Sequence, residues 1–183
     1  MPVLTHAAAF VAGASLWTLL EYIIHRFGGH ERRLGESVSR EHLMHHARPD
    51  QFSTTAKKLA LAVPVLTVLF ALVTLVADAG IAAALTAGTG VCWTSYEMLH
   101  RATHVRGPTN VYGTWARRHH LAHHFGNPRM NHGVTTPLWD IVFGTYARPD
   151  VINVPRRHVH AFPWLVDETG AAIPRFATVY RVG

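Results

Sequence analysis

Histidine carries the chemistry in this chain: 15 of its 183 residues are histidine, almost as many as the 17 lysines and arginines together. Ten of them fall into four short boxes. His25 and His30 are spaced H-x4-H, and His42, His45 and His46 form H-x2-H-H. His100 and His104 form H-x3-H, and His120, His123 and His124 form a second H-x2-H-H. On a helix, steps of three and four return to one face, so within a box the neutral imidazoles could converge on one point. Between His25 and His30, Gly28-Gly29 predicts a break that lets the chain curl back. Ten ligands are too many for one ion. Shared between two they give five each, more than the four usual for zinc, which leaves an exchangeable position on a metal of higher coordination such as iron. Zinc binds such sites more tightly than ferrous iron, so purified protein is expected to be able to carry it.

Three apolar stretches must position these boxes: residues 4–24, 59–77 and 80–99. Each is long enough, at about 1.5 Å per residue, to cross a hydrocarbon layer of about 30 Å. All 17 lysines and arginines lie in residues 26–58 or after His100. With three spans that puts every positive charge on one side, the cytoplasmic one, and the N-terminus on the other. The four boxes then reach the same membrane face. Charged residues are only 15% of the chain, in keeping with a membrane protein. Pro64 predicts a kink within the second helix, and Asp78 with Gly80 marks the turn to the third. Beyond Gly107-Pro108 an interfacial helix is expected over residues 111–125, and the tail from Ala147 reads as a flap or surface layer. The fold expected is an all-α integral-membrane helical bundle, one domain over residues 1–183, with a cytoplasmic histidine-rich cap and tail over 100–183.

Cys92 is the single cysteine, which excludes an intrachain disulfide, a thiolate zinc cluster or an iron–sulfur site built from this chain alone. Glu21, four residues before His25, and Glu97, three before His100, lie on faces from which a carboxylate could hold the far nitrogen of a ligand ring; they read equally as helix-end charges. His6, His158 and His160 stand outside the boxes and read as surface or satisfied residues, as does His119.

Taken in this order, the boxes resemble the fatty acid hydroxylase and sterol desaturase superfamily of membrane non-haem di-iron enzymes, over residues 21–146. The segment Asn131–Tyr146, "NHGVTTPLWDIVFGTY", is similar to that superfamily's ending and favours its lipid and sterol branch over the carotenoid hydroxylases. The resemblance implies that the ten boxed histidines are the metal ligands, with Asn131, Trp139 and Asp140 supporting them and no catalytic residue beyond the ligands. His132 stands where the family often has tyrosine, and is an extra ligand, a donor behind the ligands or a neutral replacement. Many relatives have four spans where this chain shows three.

The activity implied is removal of hydrogen from an unactivated C–H bond of a fatty acyl chain or sterol using oxygen, ending in hydroxylation or desaturation. Substrate would enter from the bilayer between the second and third helices, where Gly88 and Gly90 allow either its approach or ordinary helix packing. No Rossmann fingerprint or haem motif is present, so electrons must come from a separate partner, with the basic face to dock it. Two other classes compete: a membrane metal-binding or transport protein, and a module binding nucleic acid or anionic lipid through Arg117-Arg118 and Arg156-Arg157. The second explains charge but not histidine spacing, so no nucleic-acid partner is expected.

Overall fold

In a computed structural model, residues 2–183 are described. The chain is mostly helical. Helix α1 spans Pro2–Ile23 and runs into a π-helical turn, Ile24–His30. It is followed by α2 (Glu36–Ala47), α3 (Thr55–Thr74), α4 (Ala79–Val105), α5 (Val111–Phe125) and the short α6 (Leu138–Val142). The tail adds strands β1 (Ile152–Val154) and β2 (Tyr180–Val182) around a 3₁₀ turn, Arg156–Ala161. The residues divide into two compact units, one of residues up to Leu20 with Ser53–Glu97, the other of Glu21–Phe52 with Met98–Gly183.

The first unit is apolar and helical. Two helices, Val3–His30 and Thr55–Thr74, are long and apolar enough to cross a membrane. No residue of α3 is buried, and Leu61, Val65, Val68 and Leu72 all face outward. A core helix of a soluble protein would bury such a face, so this one calls for a lipid surround. The helix runs through Pro64 unbroken, and the Thr54 hydroxyl caps it by accepting from Lys57 N–H. The expected third span forms most of α4, 27 residues long, but its threonines, serines and glycines dilute its apolar character, so two helices rather than three qualify among the described residues. Asp78 caps α4 by accepting from the N–H groups of Gly80 and Ile81 at 2.8 and 3.0 Å.

Small residues let α1 and α4 cross closely. A Cβ on Gly13 would fall on the Leu85 carbonyl, and one on Gly88 on the Phe10 carbonyl. Gly88 thus serves helix packing and not the approach of substrate. The Thr89 hydroxyl donates to the Gly13 carbonyl at 3.0 Å, and Trp17 packs on Tyr96.

The second unit has the larger core, and the tail supplies most of it. Ile152, Val154, Phe162, Leu165 and Tyr180 are buried against Leu121 and Ala122 of α5. The strands pair in parallel, with Ile152 opposite Tyr180 and Val154 opposite Val182. This corrects the reading of the tail as a flap or surface layer: three-residue strands far apart in a proline-containing tail are too short to show a period, yet Ile152, Val154 and Tyr180 are buried. Arg117 also departs from its expected place on a basic surface. Its buried guanidinium donates to the carbonyls of Ala102, Arg106 and Gly113, capping the C-terminus of α4 and tying it to α5. Trp164 reinforces the same end by donating its indole N–H to the His104 carbonyl at 2.7 Å.

Gly88→Val is therefore expected to destabilise the protein by about 1–3 kcal/mol, because the Phe10 carbonyl cannot move out of the way. Gly90→Ala, whose Cβ would meet only Leu66 at 3.4 Å, should leave stability nearly unchanged. Thermal unfolding in detergent compares the two; equal transition temperatures would contradict the crossing described.

Candidate metal centre

His25 and His30 belong to the π-helical turn. In an α-helix positions five apart point well away from each other, but a π-helix closes its bonds at that spacing, so the two rings share a face. The Gly28-Gly29 pair therefore does not unwind the chain, as its composition suggests. It allows close approach instead, for a Cβ on Gly29 would lie 2.7 Å from the His42 ring. The Ser39 hydroxyl, donating to the Gly29 carbonyl at 2.7 Å, fastens α2 to this turn.

The two H-x2-H-H boxes do not each converge on one point. Along a helix a step of four turns a side chain by about 40° and a step of three by about 60° the other way, so neighbouring histidines diverge by about 100°. His42 and His46 join His25, His30 and His123, whereas His45 joins His100, His104, His120 and His124. Within each group of five, one ring nitrogen per residue lies within 4.8 Å of all the others. Helices α2 and α5 thus each contribute to both groups, and the groups share a wall where His46 stacks on His124 at 4.1 Å.

Tautomers follow from the main chain. The Nδ1–H of His25 donates to the His132 carbonyl at 2.5 Å, that of His123 to the Met130 carbonyl at 2.7 Å, and that of His45 to the Gln51 carbonyl at 2.8 Å. A carbonyl can only accept, so in neutral rings the opposite Nε2 carries a lone pair. Yet the Nε2 atoms of His25 and His123 face each other at 2.9 Å. His30 lies 3.0 Å from His123, His42 2.8 Å from His30, and His46 3.0 Å from His42, again through Nε2. The two lone pairs that the main chain fixes here, on His25 and His123, repel at 2.9 Å unless a cation stands between them. Separations of this size are short enough for neighbouring rings to share one ion.

Burial keeps these rings neutral. Desolvation, aided by neighbouring histidines, holds His42, His104, His120, His123 and His124 well below the ordinary imidazole range and pushes His46 down to about 3. Neither nitrogen of buried His124 meets a hydrogen-bond partner, nor does Nδ1 of His120. Buried polar atoms of this kind call for a further partner. The ten residues therefore fit two metal ions, five imidazoles to each.

The supporting residues act on the main chain more than on the rings. Asp140 accepts from the N–H groups of His132 and Gly133, both at 2.8 Å, from the Thr145 hydroxyl at 2.7 Å and from His119 Nε2 at 3.1 Å. It thereby sets the loop whose carbonyl orients His25. His119 is buried on this carboxylate and not at the surface. Asn131, held at φ 61°, bridges to Ala147 through both its amide oxygen and its nitrogen. The His132 ring stands outside both groups, with Nε2 3.1 Å from the Arg129 carbonyl. Trp139 stacks on Phe143.

Glu21 does not hold a ligand ring; it accepts from Val134 N–H and from the N–H and hydroxyl of Thr135, fixing the next residues of the same loop. Glu97 forms an ion pair with Lys58. Sequence reading missed the Gln51 and Met130 carbonyls, which carry no side-chain signature, and Phe162, which stacks on His104 at 4.9 Å from the tail.

The family model for fatty acid hydroxylases matches residues 10–145, which include every one of these histidines. The chain belongs to the fatty acid hydroxylase family. Among relatives, it is 32% identical over 142 residues to a dihydroceramide fatty acyl 2-hydroxylase of Arabidopsis thaliana, covering 73% of this chain and 58% of that one. It is 29% identical over 143 residues to fatty acid 2-hydroxylase of Homo sapiens, covering 74% of this chain and 38% of the other. A solved structure, full-length scs7p with only its hydroxylase domain visible, superposes with a TM-score of 0.67 at 28% identity, over 81% of this chain and 59% of that one. The chain thus spans well under two thirds of the length of these fatty acid hydroxylase relatives.

Asp140→Ala would leave buried N–H groups of His132 and Gly133 without an acceptor, and is expected to cost at least about 2–3 kcal/mol and to lower metal content together with it. Thermal melts and elemental analysis read both; unchanged values would show that the loop stands without the carboxylate. Acid should weaken the chelator-treated protein. A ring held down to about 3 in the fold resists a proton that the unfolded chain accepts at its ordinary value. Its contribution to stability is therefore complete above about pH 6.5 and is lost as pH falls towards about 3. A melting temperature that stays flat across that window would contradict this.

Proposed function

We propose that this chain is an oxygen-dependent di-iron membrane oxygenase that hydroxylates the fatty acyl chain of a lipid. The observation that carries the reading is the pair of five-histidine groups, each with one ring nitrogen per residue within 4.8 Å of the others. Two iron ions held there would activate oxygen against a C–H bond, one oxygen atom entering the substrate and the other leaving as water with two electrons and two protons. The protein's own part is to hold neutral imidazoles in place, to exclude water and to present the acyl chain. Hydroxylation is preferred over desaturation, and an acyl chain over a sterol or carotenoid, because the relatives are named fatty acid and dihydroceramide fatty acyl 2-hydroxylases.

An apolar cleft of about 800 Å³ between α3 and α4, lined by Val63, Leu66, Phe70, Ala87, Gly90 and Trp93 among others, supports entry of an acyl chain from the bilayer. We take α4 as a third span, which puts the N-terminus opposite the cytoplasm and the histidines at its face, in one domain. Electrons would arrive from a separate cytoplasmic donor. Metal transport is less well supported, since ligands gathered into two adjoining groups do not form a path across a membrane.

Mass spectrometry of lipids from cells expressing wild type or His123→Ala at equal protein level tests the proposal. An acyl lipid heavier by one oxygen only with wild type is expected, and the variant should lose metal from its group of five. A lipid lighter by two hydrogens would replace hydroxylation by desaturation. No difference, with metal-loaded protein and a working donor present, would overturn the oxygenase reading.

A further inference from the structure

The surface around α6 is unlike the rest of the second unit. Leu138, Ile141, Val142 and Phe143 are 49%, 60%, 58% and 50% exposed, although the helix lies beside the loop held by Asp140, Asn131 and Glu21. Leu138, Ile141 and Val142 are three and four residues apart and so share one face, while Asp140 points inward to its four donors. A helix turned this way, polar anchor in and apolar face out, has left its apolar side without a partner.

What that side meets is indicated by where it is fastened. Phe143 stacks on Tyr22 at 5.1 Å, the Tyr22 hydroxyl lies 3.0 Å from the Thr145 hydroxyl, and Glu21 accepts from Val134 and Thr135 just before α6. Glu21 and Tyr22 form the last turn of α1, which is long and apolar enough to cross a membrane and, counted from its apolar start, would leave the hydrocarbon near Ile24. The apolar face of α6 therefore stands beside the last turn of α1, Glu21 and Tyr22, where that helix would leave the hydrocarbon. Aromatic residues with a polar edge gather here too: Trp139 stacks on Phe143, and Tyr112 donates its hydroxyl to the Thr135 carbonyl at 2.9 Å. Such residues concentrate at the headgroup level of bilayers.

We propose that α6 is a monotopic anchor: its Leu138, Ile141, Val142 and Phe143 face enters the bilayer beside the end of α1, so that the loop orienting His25 is held at the lipid surface. The occupant is phospholipid acyl chain, and the inference rests on the reading of α1 as a membrane span. Anchoring would tie the metal-orienting loop mechanically to the surface from which a lipid substrate must be drawn.

Nitroxide labels test this in the full chain reconstituted in phosphatidylcholine vesicles, with Cys92→Ser removing the single native thiol. Labels are placed one at a time at Ile141→Cys, Val142→Cys, Val11→Cys on α1 and exposed Arg148→Cys. Collision with oxygen should exceed collision with a water-soluble nickel chelate at Ile141, Val142 and Val11, and the reverse should hold at Arg148. The Ile141 and Val142 labels should read about 5–10 Å below the headgroup boundary. Aqueous readings at Ile141 and Val142 with Val11 in lipid would overturn the anchor alone, whereas an aqueous Val11 would remove the membrane reading beneath it. Spin–spin broadening at Ile141 that fades on dilution with unlabelled protein would assign the face to a second copy and also overturn the anchor.

Discussion

Ten imidazoles gather into two groups of five, half of them buried, and where His25 meets His123 two unshared electron pairs are turned towards each other; this is the constraint on which the rest of the second unit depends. A buried ring can avoid the cost of charge by staying neutral, but a neutral ring still needs a partner for each nitrogen. Main-chain carbonyls take one nitrogen of His25, His45 and His123, which commits the other to the interior. Where the lone pairs of His25 and His123 meet at 2.9 Å, a cation between them would relieve the repulsion. Each of the two five-histidine groups could hold a metal ion, which would meet that demand for positive charge.

That demand explains why so much of the chain holds main-chain atoms in place. Asp140, Asn131 and Glu21 all serve one loop, and the loop presents one carbonyl to His25. Arg117 and Trp164 serve another purpose of the same kind, tightening the end of α4 where His100 and His104 stand. The directions of the His25, His45 and His123 rings are then set by hydrogen-bonded backbone and not by the histidines alone, as expected of sites in which the groups behind the ligands set their direction. The tail contributes in turn, because Phe162 closes the second group by stacking on His104.

Much of this was legible from residue types and spacing. The ten histidines could be picked out by their boxes, α5 was delimited at Val111 and Phe125, and the charge-free run behind α3 announced a helix suited to lipid. These features are local: a helix period, an apolar run and a Gly-Pro turn are decided by neighbours in sequence. The family could be reached from the same local marks, since its boxes are short and ordered.

Only the tertiary structure decided how the boxes are shared. Sequence spacing put His42, His45 and His46 together, but neighbouring residues on a helix diverge, and it is the packing of α2 against α5 and the π-helical turn that gives each direction its own group. Tertiary structure also decided that Glu21 and Asp140 work through backbone N–H groups, that Arg117 is an internal tie and that the tail is core. Such roles join residues more than a hundred positions apart, as Glu21 and Thr135 are, or depend on main-chain atoms that every residue possesses. The sequence by itself marked the ten boxed imidazoles; their division into two groups of five, and the tautomers of His25, His45 and His123, came from the folded backbone that holds them.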